Sequence, residues 1–360
     1  MKKSVKEVME KIINKGFAVY LVGGYVRDYY LNKETFDYDL ATSAKPVDLI
    51  EIWPNIENKN YGSVVLKYKG SRFEITTFRV EKSYHKNRFP NYEYTNSIDK
   101  DILRRDFTMN SMYMDIDESI IDKLNGKKDI DNKILKMVGN ADKKIGEDAL
   151  RILRAIRFAT IYNFTIDKEI EEAITKYGYL LTNLSFIHKK EELDKIFISP
   201  NLEYGLKLIK KYNLDKYLDI KGLDNLKPVN NILGIWAQLE VDNKYPFKKS
   251  EKGLIDKIKI YLTKDILNPY VLYNSGLYVA TVVAQIRKID IKQLNLIYEN
   301  LPILRKEDIA VTPNEIINSL NIKPGKIISN IYQDLEYEII NKNLENDKKS
   351  IAKYIMKKYK

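Results

Sequence analysis

Apolar residues in the first third of the chain recur at two different spacings. In MKKSVKEVMEKIINKG, Val5, Val8, Met9, Ile12 and Ile13 follow the three-to-four step of an amphipathic helix, with charge between them. Ala18 to Val22 is an unbroken β-rich run that meets Gly23-Gly24, and Tyr25 to Leu31 returns to helical spacing before Asn32. This reads as strand, tight turn and short helix. A second β-type run contains Asp37 and Asp39. A helix then begins at Pro46, with Ser43 as its cap, and ends near Trp53-Pro54. Ser63 to Lys69 and Arg72 to Phe78 read as two strands joined by Lys69-Gly70-Ser71. Residues Glu81 to Lys100, which include His85, Arg88 and Pro90, keep no period and read as a flexible loop. From Lys144 the two-residue alternation gives way to helical spacing, with breaks near Ser199-Pro200, Tyr245-Pro246 and Pro269. The pattern predicts an α+β head with a small mixed sheet and an all-α remainder, the boundary falling near residues 138 to 145.

Chemistry enters with the second β-run. Side chains two apart on a strand share a face, so Asp37 and Asp39 stand side by side, and a divalent cation with oxygen ligands resolves their repulsion. The Gly23-Gly24 turn opens a helix whose N–H groups suit phosphate, with Arg27 one turn in. Together these features point to Mg²⁺ and a triphosphate. Glu74, on an alternating strand, is the candidate for a third carboxylate. Arg104-Arg105-Asp106-Phe107 precedes a helix-compatible run, with Asp106 as a possible cap. Arginines at a helix start oppose its dipole, a cost that bound phosphate offsets; the alternative is a surface ion pair with Asp101 or Asp106. In a helix from Glu147 to Thr160, Arg151, Arg154 and Arg157 share one side, opposite Ile152, Leu153, Ile156 and Ala159. That side is either a solvated face or a nucleotide-binding one.

Charge and composition narrow the class. The 360 residues carry 61 Lys and Arg against 50 Asp and Glu, a net +11 that favours a polyanionic partner, although Lys-, Asn- and Ile-rich usage also raises the count. The absence of cysteine removes disulfides, thiolate zinc sites and Cys nucleophiles together, and suits a reducing cytoplasm. Two histidines, His85 and His188, are too few for a His-rich hydrolase domain. No apolar run approaches the roughly 20 residues of a membrane span, and the first segment reads as a helix rather than a signal peptide.

GGYVRD followed by DYDLAT resembles the head signature of the bacterial-type tRNA nucleotidyltransferases and poly(A) polymerases. RRDFTMN, DKLNGKKD and EDALRILRAIRF follow in the order seen in that family. The resemblance implies template-independent addition of the 3′-terminal CCA of tRNA from CTP and ATP. It implies Mg²⁺ on Asp37 and Asp39, with Glu74 the further carboxylate. It also implies a nucleotide site drawn from Gly23, Gly24, Arg27, Asp28, Arg105, Asp106, Asn110, Asp148, Arg151, Arg154 and Arg157. The domains it suggests are a catalytic head at 1–140, a base-recognising neck at 141–198, a helical body at 199–270 and a tRNA-binding tail at 271–360. By the same resemblance the 81–100 loop serves the switch from C to A addition, and Asp122 to Asp129, with Gly126 at its centre, is a head-to-neck hinge or simply a hairpin. In the tail, Val311-Thr312-Pro313-Asn314 and Lys323-Pro324-Gly325-Lys326 each start a helix, the second suited to an RNA phosphate. One departure is Ile187-His188-Lys189, where the family often carries Glu-Arg-Ile; the consequence expected is in packing of the neck.

Asp148 and Arg151 supply a rule for base choice. Cytosine and adenine both offer an amino donor beside a ring-nitrogen acceptor, which a carboxylate and a guanidinium can meet; uracil and guanine reverse the pattern. Poly(A) polymerase is the nearest rival, but its basic RRF-type segment is not evident around Tyr61 to Lys69. Enzymes adding only CC or only A come next, and a non-catalytic RNA-binding protein on the same fold is the alternative of another class.

Overall fold

The computed structural model describes residues 1–59, 61–85, 89–241 and 243–360. They form two units, Met1–Ile220 and Lys221–Lys360. In the first, helix α1 (Lys3–Ile13) buries Val5, Val8, Met9 and Ile12, as its periodicity requires. Strand β1 (Val19–Val22) leads through Gly23 into α2 (Gly24–Tyr30), and β2 (Tyr38–Thr42) follows. Next come α3 (Pro46–Ile52), β3 (Glu57–Asn58), β4 (Ser63–Tyr68) and β5 (Ser71–Thr77). Ser43 does not cap α3: it accepts the Ala18 N–H, while Asp48 accepts the Lys45 N–H at 2.7 Å.

The segment after β5 is not the irregular loop that its polarity suggested. Strands β6 (Arg79–His85) and β7 (Phe89–Tyr94) pair as an antiparallel hairpin, and Ser97 caps α4 (Ile98–Arg104). Among the described side chains of the hairpin, Arg79 to Lys82 and Asn91 to Tyr94, none is fully buried, so no alternation is readable there; Arg88 lies outside the described residues. Short strands β8 (Tyr113–Met114) and β9 (Ile120–Ile121) complete the main sheet. Among the described residues its order is β3-β4-β5-β2-β1-β8-β9. Most neighbours are antiparallel, but β2 and β5 run parallel, with Asp39 opposite Glu74. Val22, Ala41, Phe78, Ile102 and Tyr113 form a buried cluster behind the turn that begins α2.

Arg104 ends α4 and Arg105 is its C-terminal flanking residue. Their charges therefore complement the helix dipole rather than oppose it. Asp106 caps no helix; its Oδ1 accepts the Phe107 N–H at 2.7 Å, and a single 3₁₀ turn spans Thr108–Asn110. Asp122 to Asp129 is neither strand nor hairpin. Asp122 accepts the N–H groups of Gly126 and Lys127, starting α5 (Gly126–Asp131). A Cβ at Gly126 would lie 2.4 Å from the Thr108 carbonyl oxygen, so only glycine lets α5 approach that turn.

Strands β10 (Ile134–Leu135) and β11 (Thr165–Ile166) pair in parallel on either side of two helices. The helix expected over Glu147 to Thr160 is divided into α6 (Ala141–Glu147) and α7 (Leu150–Tyr162). Asp148 between them is extended, and its Oδ1 accepts the Leu150 N–H at 3.0 Å. Beyond lie α8 (Lys168–Tyr177), α9 (Phe186–Phe197), α10 (Leu202–Lys211) and short α11 (Asp215–Leu218). Where the Glu-Arg pair is missing, Lys189 is buried and donates to the Tyr217 carbonyl at 3.0 Å, so this chain secures α9 by another bond.

The second unit is built of helices α12 (Ile232–Ala237), α13 (Lys249–Tyr261), α14 (Pro269–Ser275), α15 (Leu277–Arg287), α16 (Ile291–Glu299), α17 (Pro313–Leu320), α18 (Lys326–Ile340) and α19 (Lys348–Tyr359). Thr312 and Glu315 form a capping box on α17. Ile316, Ile331, Leu335, Ile339, Ile351 and Ile355 pack together as the core of α17 to α19. Among the described residues no helix is long and apolar enough to cross a membrane.

Candidate active site

The turn between β1 and α2 requires Gly23: its φ is +67°, and a Cβ there would meet Asp39 Oδ2 and Arg105 Nη1 at just under 4 Å. Backbone, carboxylate and guanidinium thus converge at one point. That point belongs to a cavity of about 630 Å³, which also receives Gly24, Asp37 and Arg27.

Asp37 is exposed just before β2, and Asp39 is half-buried within it. Burial, followed by Asp37 and Glu74, pushes the Asp39 carboxyl up to about 6 against the opposing pull of Arg105 and Arg72. A carboxylate so strained by burial and like charge gains from a cation between it and its neighbour, so the donor set fits a divalent ion. Glu74 contributes to this field but does not line the cavity; its Oε2 is engaged by Lys59 Nζ at 2.9 Å. Among the described residues no three His, Cys, Asp or Glu side chains form a metal-binding cluster.

The arginines are held at fixed angles. Arg27 makes a two-pronged contact with Asp28, 2.9 Å on each prong, and donates to Asn110 Oδ1 at 2.6 Å. Tyr162 lies under its guanidinium, 4.6 Å from atom to ring centre, and donates its hydroxyl to Asp28. Asp28 is accordingly a support for Arg27 outside the cavity lining, while Asn110 lies within it. Arg105 donates to the Tyr113 hydroxyl at 2.7 Å and to Asp101 at 3.3 Å. Asp101, fully buried, also accepts from Arg104 and Tyr113, so the alternative of a surface ion pair does not hold. Burial opposes ionisation of Asp101, but Arg104 and Arg105 outweigh it and its carboxyl is held below the usual range.

Helix α7 supplies the remaining wall. Arg154 forms a paired contact with Asp106, with Nε at 2.8 Å. Burial would raise the Asp106 carboxyl, yet Arg154 and the Phe107 N–H bring it down to about 2. Arg157 is buried against Glu192 at 2.8 Å, and burial followed by Arg154 lowers its guanidinium to about 10. Arg151 Nη1 donates to the Lys144 carbonyl at 2.6 Å. Arg151, Arg154, Arg157, Asp106 and Asp148 all line the cavity, so the three arginines are not a solvated face. Asp148 stands one step outside α7 rather than within a continuous helix.

A family model described as "Poly A polymerase head domain" matches residues 19–136; one described as "Probable RNA and SrmB- binding site of polymerase A" matches 163–222; and "tRNA nucleotidyltransferase domain 2 putative" matches 223–355. The CCA-adding enzyme of Ligilactobacillus salivarius is 31% identical, the alignment covering 96% of this chain and 94% of that one. This chain belongs to the CCA-adding enzyme family. A crystal structure of the Bacillus stearothermophilus CCA-adding enzyme in complex with CTP is 26% identical, with a TM-score of 0.89 over 99% of this chain and 98% of that one. The Thermotoga maritima CCA-adding enzyme complexed with tRNA shares the fold, at 17% identity and a TM-score of 0.72 over 100% and 97%. Family membership along the whole length places the poly(A) polymerase rival second, as the missing RRF-type segment did.

This member of the CCA-adding family also brings to the cavity residues that the motifs did not single out, Tyr61, Arg79, Glu81 and Lys195, together with Phe158 at the end of the EDALRILRAIRF motif. Arg79 opens β6, and Lys195 lies in α9. Neither has a spacing that marks it in advance.

Proposed function

We propose that the cavity in the first unit binds CTP or ATP with Mg²⁺ and the 3′ end of a tRNA, and that the chain adds C, C and A to that end with release of diphosphate. The observation that carries this reading is the single cavity uniting Asp37 and Asp39 with Gly23, Arg105 and the arginines of α7. Asp37 and Asp39 would hold Mg²⁺, which when bound lowers the pKa of the primer hydroxyl and neutralises phosphate charge. The 3′-hydroxyl oxygen forms the new bond to the α-phosphorus, the bond to diphosphate breaks, and the hydroxyl proton passes to solvent. Gly24, Arg27 and Arg105 hold the triphosphate and sugar, their geometry set in advance by Asp28, Asn110, Tyr113 and Asp101. Glu74 adds negative field behind Asp39.

Asp148 and Arg151 read the base, with Arg154 and Arg157 supporting them. A mismatched pair of polar groups in a closed site costs on the order of a few kcal/mol, enough to reject U and G without a nucleic-acid template. The division 1–140 head, 141–198 neck, 199–270 body and 271–360 tRNA-binding tail is part of the same reading, as is action in a reducing cytoplasm. The test is incubation with tRNA ending before CCA and each labelled nucleotide, reading product length. Asp148→Ala and Arg151→Ala should incorporate UTP and GTP while retaining Mg²⁺ dependence. If both variants still add only C and A, the base-reading role is wrong.

A further inference from the structure

Lys144 lies between two arginines of the site and bonds toward each. Its backbone carbonyl accepts from Arg151 Nη1 at 2.6 Å. Its ammonium donates to the carbonyls of Leu103 at 2.7 Å and Arg105 at 3.1 Å. The last carbonyls of a helix lack partners within it, and a lysine can satisfy them. Here the lysine that does so for α4 belongs to α6, and the same residue's main chain carries Arg151.

We propose that Lys144 is a positioning residue, fixing the register between Arg105 on the triphosphate and Arg151 on the base, and thereby sharpening the choice of nucleotide. The proposal rests on the roles given above to those two arginines. A helix end is ordinarily closed by a glycine or an exposed cation. This ammonium is instead half-buried, and burial followed by the nearby Arg151 lowers it to about 8, against the opposing pull of Glu81, Glu147 and Asp106. Closing α4 alone does not call for a cation in so unfavourable a setting; a link between two binding groups does. Asp28 acts on Arg27 alone and Asp106 on Arg154 alone, and Asp101, which takes both Arg104 and Arg105, joins neighbours at one helix end rather than residues of two helices.

The experiment compares Lys144→Met, Lys144→Gln and Lys144→Arg with Arg151→Ala, each checked for folding by circular dichroism and thermal melting. Small displacements of positioning groups cost on the order of tenfold to a hundredfold in a site of this kind. Lys144→Met should raise KM for CTP and ATP by roughly tenfold and increase UTP and GTP incorporation, with kcat at saturating CTP changed much less. Lys144→Arg should restore both properties. Lys144→Gln, whose amide can still donate to the carbonyls, should fold if the Met variant does not, and should show the same KM and selectivity defects in weaker form. A folded Met or Gln variant with parental KM and parental rejection of UTP and GTP, beside an Arg151→Ala variant that has lost rejection, overturns the proposal. If Arg151→Ala itself rejects UTP and GTP normally, the base-reading assignment falls and takes this proposal with it. Failure of both Met and Gln variants to fold would make Lys144 a stability residue and overturn the proposal as well.

Discussion

Replacing Asp106 by Asn isolates the ion pair that holds Arg154 against the cavity wall. The Asp106 carboxyl lies at about 2 rather than its ordinary 3.8. One pKa unit corresponds to about 1.4 kcal/mol, so the charged form gains about 2 kcal/mol in the folded state. The side chain is only 12% exposed, so solvent screens little of this. Because the folded value is depressed, the contribution is complete above about pH 4 and disappears as pH falls toward 2. Asn keeps an oxygen for the Phe107 N–H but loses the charge. The chain has two tryptophans, Trp53 in the first unit and Trp236 in the second. With Trp236 changed to Phe in both proteins, Trp53 fluorescence reports urea unfolding of the unit that contains the site. Asp106→Asn should lose about 2 kcal/mol at pH 7, with the gap to the parent closing between pH 4 and pH 2. A loss below about 0.5 kcal/mol at pH 7, or one that persists undiminished in acid, would refute the assignment of that stability to Asp106 and Arg154.

Three further outcomes are expected. Asp39→Asn should abolish nucleotide incorporation, yet in metal-free buffer at pH 7 it should melt higher than the parent, because the carboxylate disfavoured by burial and Asp37 is gone; retained activity with Mg²⁺ would disprove the metal role. Gly205→Ala should destabilise the first unit by roughly 1–3 kcal/mol, since its Cβ would stand 2.7 Å from Thr160 Oγ1 and 2.8 Å from Ile196 Cγ2; calorimetry showing no change would contradict this packing. Lys349, Lys353 and Lys357 are exposed along one side of α19, and replacing all three by Gln should weaken tRNA binding, flatten its salt dependence and leave CTP affinity intact; an unchanged salt slope would remove this helix from the RNA surface.

The sequence displayed the parts of the site that obey a period or a fixed local geometry. Asp37 and Asp39 are two apart at a strand, Gly23 sits where only a positive φ makes the turn, and the α7 arginines repeat every three residues. Other features depend on partners distant in the chain. Polarity alone does not distinguish the β6–β7 hairpin from a loop, because its described side chains do not alternate between buried and exposed faces. The Arg104-Arg105 pair reads as a helix start but closes one, because α4 lies before it in a polar stretch with little periodicity. The break at Asp148 was invisible for a different reason: the apolar spacing continues through it, and only the Leu150 N–H on its carboxylate reveals a new helix start. Glu74 is readable only as a carboxylate on an alternating strand; its position opposite Asp39 comes from the parallel pairing of β2 with β5, and the capture of its carboxylate by Lys59 carries no local signal.

The parallel pairing of β2 with β5 gives the site a history as well as a shape. Neighbouring β4 and β5 can meet as soon as both exist, since a tight turn joins them. Strand β5 reaches β2 only after α3 has carried the chain to the outer strand β3 and β4 has brought it back, a closure of the kind that is slow in folding. Until then Asp39 has no Glu74 opposite it and no buried setting to disturb its ionisation. The setting of the proposed site therefore depends on this non-local pairing, and on the still longer-range one that brings β8 beside β1, rather than on any locally folded hairpin.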